Sequence, residues 1–169
     1  GLRKEKVEAE MNIQALPTRR TNFFKLLDIH FQNLEMINIV EVSADSSEKT
    51  SGREGIFKIY RMHRRQCQSF GSMPVDESWE KTQAYFYKFF TGEIGLFEVY
   101  FKNIKHMMSY VMESEIERQF FLNTLRSLFS KFELWTIFYY SLSGVDAEFK
   151  DLVLKCSLVD AAVKPFLIQ

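Results

Sequence analysis

The chain has 169 residues, 46% of them hydrophobic and 15% aromatic, and its 22 basic residues are balanced by 22 acidic ones. A domain of this length buries roughly 70% of its unfolded surface, which is enough for one core, and so much apolar content excludes a disordered tail. The charge balance gives no global case for nucleic acid or an anionic lipid surface, and the scarcity of Gly (7) and Pro (3) favours helices over a sandwich or barrel.

Residues 2–16, LRKEKVEAEMNIQAL, are charged and helix-favouring, with a thin apolar stripe of Val7, Met11 and Leu16. They predict a stalk or linker helix interrupted by Pro17, which divides the chain into a stalk (1–17) and an all-helical domain (18–169). A helix is then predicted from Thr21, as N-cap, to Ile39, with Phe23, Leu27, His30, Leu34 and Ile37 on one face. His30 lies on that apolar stripe and reads as a core histidine. Residues 43–52, SADSSEKTSG, read as a polar loop. The next helix, 53–68, turns Ile56, Phe57, Tyr60 and Cys67 inward and carries a basic patch, Lys58, Arg61, His63, Arg64 and Arg65, read as a solvated face. After a loop containing Gly71 and Pro74 comes a helix from about Glu77 to Phe90, ending near Gly92.

The strongest pattern is a pair of long aromatic-rich helices between about Glu93 and Ser143. On the first, Phe97, Phe101, Ile104, Met108 and Val111 repeat at helical spacing. The join falls near Ser114, where Ser114-Glu115-Ile116-Glu117 has the S-x-x-E form of a capping box. The second is expected to run unbroken to about Leu142, with Leu125, Leu128, Phe129, Phe132, Trp135 and Tyr139 inward. Gly144 is a natural stop, and Asp146 can cap a short helix containing Phe149, Leu152 and Val153. Residues 157–169 are apolar enough to pack back onto the bundle. No strand is expected, and the fold class is all-α: a single helical bundle of about six helices with an N-terminal stalk helix.

Both long helices carry polar residues off the apolar stripe. On a 100° wheel centred on Ile104, His106 points away from the core and Asn103 lies on a flank, three residues apart and therefore neighbours. Arg126, Ser130 and Glu133 follow at helical spacing on a flank of the second helix. Arg126 and Glu133 would stand roughly 10 Å apart along the axis, so a third side chain is needed between them, with His106 or Asn103 as candidates. Such a set reads either as a network locking two helices together or as a site.

No G-x-x-x-x-G-K-[ST], H-E-x-x-H, G-x-S-x-G or C-x-x-C pattern occurs. The histidines His30, His63 and His106 lie on separate predicted helices, and Cys67 and Cys156 lack metal-type spacing, so no metal and no cofactor is expected and the thiols read as buried and free. Small helical ribonuclease toxins of the HEPN type carry an Arg a few residues before a His, the first to bind phosphate and the second to move protons. Here only Lys102 precedes His106, and lysine lacks the bidentate fork.

The segments FFKLLDIH (23–30), GREGIF (52–57), YFKNIKHMMSYV (100–111), LRSLFSKFELWTIFYYSLS (125–143) and FKDLVLKCSLVD (149–160) resemble, in order and spacing, the putative phage abortive infection protein family, AbiC-like, of bacteria. The family pattern has Arg where Lys102 stands and Asn where Tyr140 stands. The resemblance implies a bacterial or prophage-encoded protein acting during bacteriophage infection, with a membrane hairpin upstream and this domain on the cytoplasmic side of the inner membrane. Because the chain begins with Gly1 rather than Met, a segment is expected upstream, and residues 2–16 would be the stalk leaving the membrane. The matching polar positions are His30, Arg53, Asn103, His106, Arg126, Ser130 and Glu133. Two functions remain open. One is a sensor or effector-control domain acting by binding a phage or host protein, or by homo-oligomerisation. The other is a HEPN-like ribonuclease using Lys102, Asn103, His106 and Glu133, for which nucleic acid would be the partner despite the neutral charge.

Overall fold

The computed structural model describes residues 1–92 and 94–159. In chain order these form α1 (Leu2–Met36), β1 (Asn38–Val42), β2 (Ser47–Ser51), α2 (Gly52–Gly71), α3 (Val75–Gly92), α4 (Ile94–Glu113), α5 (Arg118–Leu128), α6 (Lys131–Ser143) and α7 (Ala147–Lys155). The fold is an all-α bundle with one small hairpin. Helix α6 is its axis and packs against α2, α3 and α7, while α1 packs on α4 and α2. That position explains the nearly all-round apolar sequence of α6: Leu134, Trp135, Ile137, Tyr139 and Leu142 are all buried.

The α4 stripe is buried as its periodicity requires, with Ile104, Met108 and Val111 fully inaccessible. The rings interlock between helices: Phe101 stacks on Tyr140 at 3.7 Å between centroids, and Phe86 stacks on Tyr139 at 4.3 Å. Gly144 ends α6 at φ +78°, and the Asp146 carboxylate accepts a hydrogen bond from the Phe149 N–H, capping α7 as expected.

Five expectations are corrected. Pro17 does not interrupt a helix, and Thr21 caps none: both lie inside α1. Proline leaves the carbonyl four residues back without its N–H, but here that carbonyl belongs to Ile13, an exposed residue in a stretch that water solvates. Residues 43–52 are not simply a loop. Ser47–Ser51 pairs antiparallel with Asn38–Val42, Ile39 opposite Thr50 and Glu41 opposite Glu48. Ile39 and Thr50 share the inward face of that ribbon, and Thr50 is buried. Gly52, at φ +60°, then turns the chain into α2.

The long helix expected after Ser114 is two helices. Phe129 and Ser130 are extended between α5 and α6. The Ser114–Glu117 tetrapeptide forms no capping box: Glu117 is left-handed at φ 53° and its carboxylate pairs with Arg20 instead, at 2.5 Å. The box stands sixteen residues later, at Ser130 and Glu133, another S-x-x-E. Of the C-terminal stretch 157–169, residues beyond 159 lie outside the described residues; within it Leu158 is buried.

Candidate functional site

The break before α6 places a carboxylate where four helices meet. Ser130 is the N-cap of α6 and Glu133 its third residue, so the Ser130 Oγ accepts the Glu133 N–H at 3.2 Å while the Glu133 Oε2 accepts the Ser130 N–H at 2.9 Å. That reciprocal pair turns the Glu133 side chain back over the helix N-terminus and towards α1, α2 and α4. From α2, Arg53 donates its Nε–H to Oε2 at 3.2 Å and an Nη2–H to the Leu128 carbonyl at 2.8 Å, clasping both sides of the break. From α1, His30 Nε2 lies 3.2 Å from Oε1, and from α4 the Tyr100 hydroxyl donates to the same oxygen at 3.4 Å.

The four partners differ in exposure. Glu133 and His30 are completely buried and Tyr100 nearly so, whereas the Arg53 side chain is 52% accessible and lies over the Phe31 ring. Burial alone pushes a carboxyl upward, but the bonds from His30 and Ser130 outweigh it, and Glu133 titrates below the usual carboxylate range. Tyr100 moves the other way: burial, then the neighbouring Glu133 charge, push its phenol well above 10.0. His30 therefore meets the carboxylate as an Nε2–H donor. Phe129 stands edge-on to its ring at 5.1 Å, and its Nδ1 finds no hydrogen-bond partner among the described residues. His30 is thus the core histidine that its apolar stripe indicates, but it is hydrogen-bonded at one nitrogen only.

The residues singled out in the sequence part company here. His30, Arg53, Ser130 and Glu133 converge. Arg126 does not: its Nε–H bonds to the Cys156 carbonyl at 2.9 Å, tying α5 to the end of α7. Asn103 is buried rather than part of an outer face, and donates to the Leu26 carbonyl at 3.2 Å, fastening α4 to α1. His106 is exposed, as the wheel indicated, and Lys102 beside it is held by Glu98 one turn back at 2.5 Å. Neither His106 nor Asn103 bridges Arg126 and Glu133, which do not share a partner; Glu133 is met instead by His30, Tyr100 and Arg53. Tyr100 escaped sequence reasoning because it adjoins the α4 apolar stripe and reads as one more core ring. His63, grouped with the surface patch, is buried on the opposite face of α2, its Nδ1 hydrogen-bonded to the Tyr85 hydroxyl at 2.5 Å.

Among the described residues no three His, Cys, Asp or Glu side chains are grouped to hold a metal ion. Both cysteines are buried free thiols, and burial pushes Cys67 up to about 12 and Cys156 to about 11. No described helix is long and apolar enough to cross a membrane.

Residues 92–167 match the family described as putative phage abortive infection protein. The match takes in α4 to α7, and with them Tyr100, Ser130 and Glu133, while His30 and Arg53 lie on the N-terminal side of it. No curated protein and no solved structure matches the chain.

Proposed function

We propose that this chain acts in abortive infection as a binding and control domain whose polar residues hold the helices in one arrangement, and that it is not a ribonuclease. The observation that carries this reading is the state of Glu133. Its two oxygens accept from His30, Tyr100, Arg53 and the Ser130 N–H, and it is inaccessible to solvent, so no oxygen is left to take a proton from a substrate. A carboxylate so placed ties α1, α2 and α4 to the start of α6. That suits a domain that answers to a phage or host protein, or to a second copy of itself, by a change in helix packing.

The ribonuclease reading draws its support from Lys102 and His106, one turn apart and both exposed on α4. Against it, the Lys102 ammonium is engaged with Glu98, the Asn103 amide is committed to the α1 backbone, and Arg126 and Glu133 serve other contacts. Incubating the purified chain with cellular RNA in the presence of a chelator separates the two. The expected result is intact RNA with wild type and with His106→Ala alike. RNA degraded by wild type and spared by His106→Ala would overturn the control-domain reading.

A further inference from the structure

The hairpin and the outer face of α2 enclose an open groove of about 660 Å³. Glu41 and Glu48, opposite one another on the ribbon, form one wall; Phe57, Lys58, Arg61, Arg64 and Arg65 form the other. The wall residues of α2 are exposed or half-buried, while the opposite side of that helix, with Ile56, Ile59, Tyr60, His63 and Cys67, is buried in the bundle. The cations therefore make a ridge along a single solvent-facing stripe.

The ridge already holds carboxylates at one end. Lys58 Nζ lies 3.1 Å from Glu41 and 3.4 Å from Glu48, so the tip of the hairpin neutralises the first cation. Beyond it the charge continues uncompensated. Arg61 lies over the Phe57 ring at 6.0 Å, and among the described residues no carboxylate is within ion-pair distance of Arg61, Arg64 or Arg65. Three guanidinium groups at positions i, i+3 and i+4 repel one another on a helix surface, a cost that an anionic partner relieves.

We infer that this groove is a docking surface for an extended acidic segment of a partner protein, laid along α2 and continuing the carboxylate contacts that Glu41 and Glu48 make with Lys58. Spacing and charge both favour that occupant. Alternate residues of an extended chain stand about 6.8 Å apart on one side, close to the roughly 6 Å rise between Arg61 and Arg65. A carboxylate on every second residue would thus meet the successive cations of the ridge, with the intervening side chains turned to solvent. A nucleic-acid strand fits less well, because it carries a charge at every phosphate and so cannot avoid Glu41, Glu48 and Glu54 in the same groove, whereas an extended peptide can place uncharged residues opposite them. This surface names the kind of partner for the binding domain proposed above, and rests on that reading.

The test is fluorescence anisotropy of a labelled peptide of alternating Glu and Thr, titrated with the whole chain at low salt. Arg61→Gln/Arg64→Gln/Arg65→Gln should weaken binding about tenfold or more, three exposed charge contacts being removed. Lys25→Gln/Lys88→Gln/Lys150→Gln, which removes as much charge from exposed positions elsewhere, should leave it unchanged. A single-stranded polyuridine of matched length should bind more weakly than the peptide. Absence of saturable peptide binding, equal loss in both triple variants, or tighter binding of the RNA would each overturn the inference. The double variant Arg64→Gln/Arg65→Gln, at two exposed positions, repeats the measurement if the triple melts below wild type. Failure here with RNA still intact in the cleavage assay would remove the docking surface and leave the control-domain reading standing.

Discussion

Replacing Glu133 with glutamine keeps the shape of the side chain and removes half of what it does. The carboxylate offers Oε1 to His30 and Tyr100, and Oε2 to Arg53 and the Ser130 N–H. The amide offers one oxygen and turns an NH2 towards the donors on the other side. If the amide faces inward, the Nε2–H of fully buried His30 and the Tyr100 hydroxyl lose their acceptor; if it faces the cap, the Ser130 N–H does. Each orphaned buried donor costs about 1–3 kcal/mol. The Arg53 contribution is discounted, because its side chain is 52% accessible and turns to water. The sum is about 3 kcal/mol, at the lower edge of the penalty for removing one partner of a buried ionic pair. For a chain of this size that is a fall in Tm of about 6–12 °C.

Far-UV circular dichroism on heating reads this directly, and pH supplies an internal control. The folded Glu133 carboxyl titrates below its unfolded value of 4.5, because the His30 and Ser130 bonds to the charged form outweigh burial. Its stabilisation is therefore fully present above pH 4.5 and is lost as pH falls through the folded value. The wild-type and Glu133→Gln melting temperatures should accordingly differ most near neutrality and converge below pH 4.5. A Tm change under about 3 °C near neutrality, or a gap that persists undiminished into acid, would refute the argument that a charged Glu133 holds these helices together.

Ser130→Ala removes the acceptor for the Glu133 N–H and should lower stability by about 1 kcal/mol, whereas Ser130→Gly should cost only a few tenths; thermal melts of the pair check the order. His63 is held below 6.5 by burial, so the unfolded chain binds the extra proton first and stability should decline as pH drops below 6.5. Melting temperatures of wild type and His63→Gln across that range should show the slope in the former only.

The parts of the fold that could be read from the sequence are those fixed by local periodicity. The α4 stripe through Ile104 and the Asp146 cap depend on residues within a few turns of one another, and a 3.6-residue repeat records them. The hairpin was invisible for the opposite reason. Its second strand, SEKTS, is polar, with no alternation to mark it, and its inward residue Thr50 is specified by Ile39 across the ribbon and by α2 beneath it. Continuity of α1 past Pro17 likewise depends on context, since solvent can satisfy the one carbonyl that proline leaves free. The polar residues divide in the same way. A helical wheel states which side of its own helix a residue takes, and it placed His106 outside. It does not state what stands opposite, and so it sets Asn103 beside His106 rather than against the Leu26 carbonyl.

Two S-x-x-E tetrapeptides show what decides between equal local signals. Ser114–Glu117 and Ser130–Glu133 offer the same cap, yet only the second forms. At Glu117 the carboxylate reaches Arg20, a half-exposed guanidinium, and the Ser114 hydroxyl bonds instead to the Ile116 carbonyl at 2.7 Å. At Glu133 the cap and the tertiary contacts do not compete, because they use different oxygens for most of their donors: Oε2 serves the Ser130 N–H, and Oε1 is left for His30 and Tyr100. The helix N-terminus adds its partial positive charge to the same group. One carboxylate therefore explains both the break at Phe129–Ser130 and the meeting of α1, α2 and α4 there. An amide, a shorter acid or a shift by one residue would keep one of those functions and lose the other. The position thus requires glutamate for reasons of packing alone, before any chemistry is asked of it.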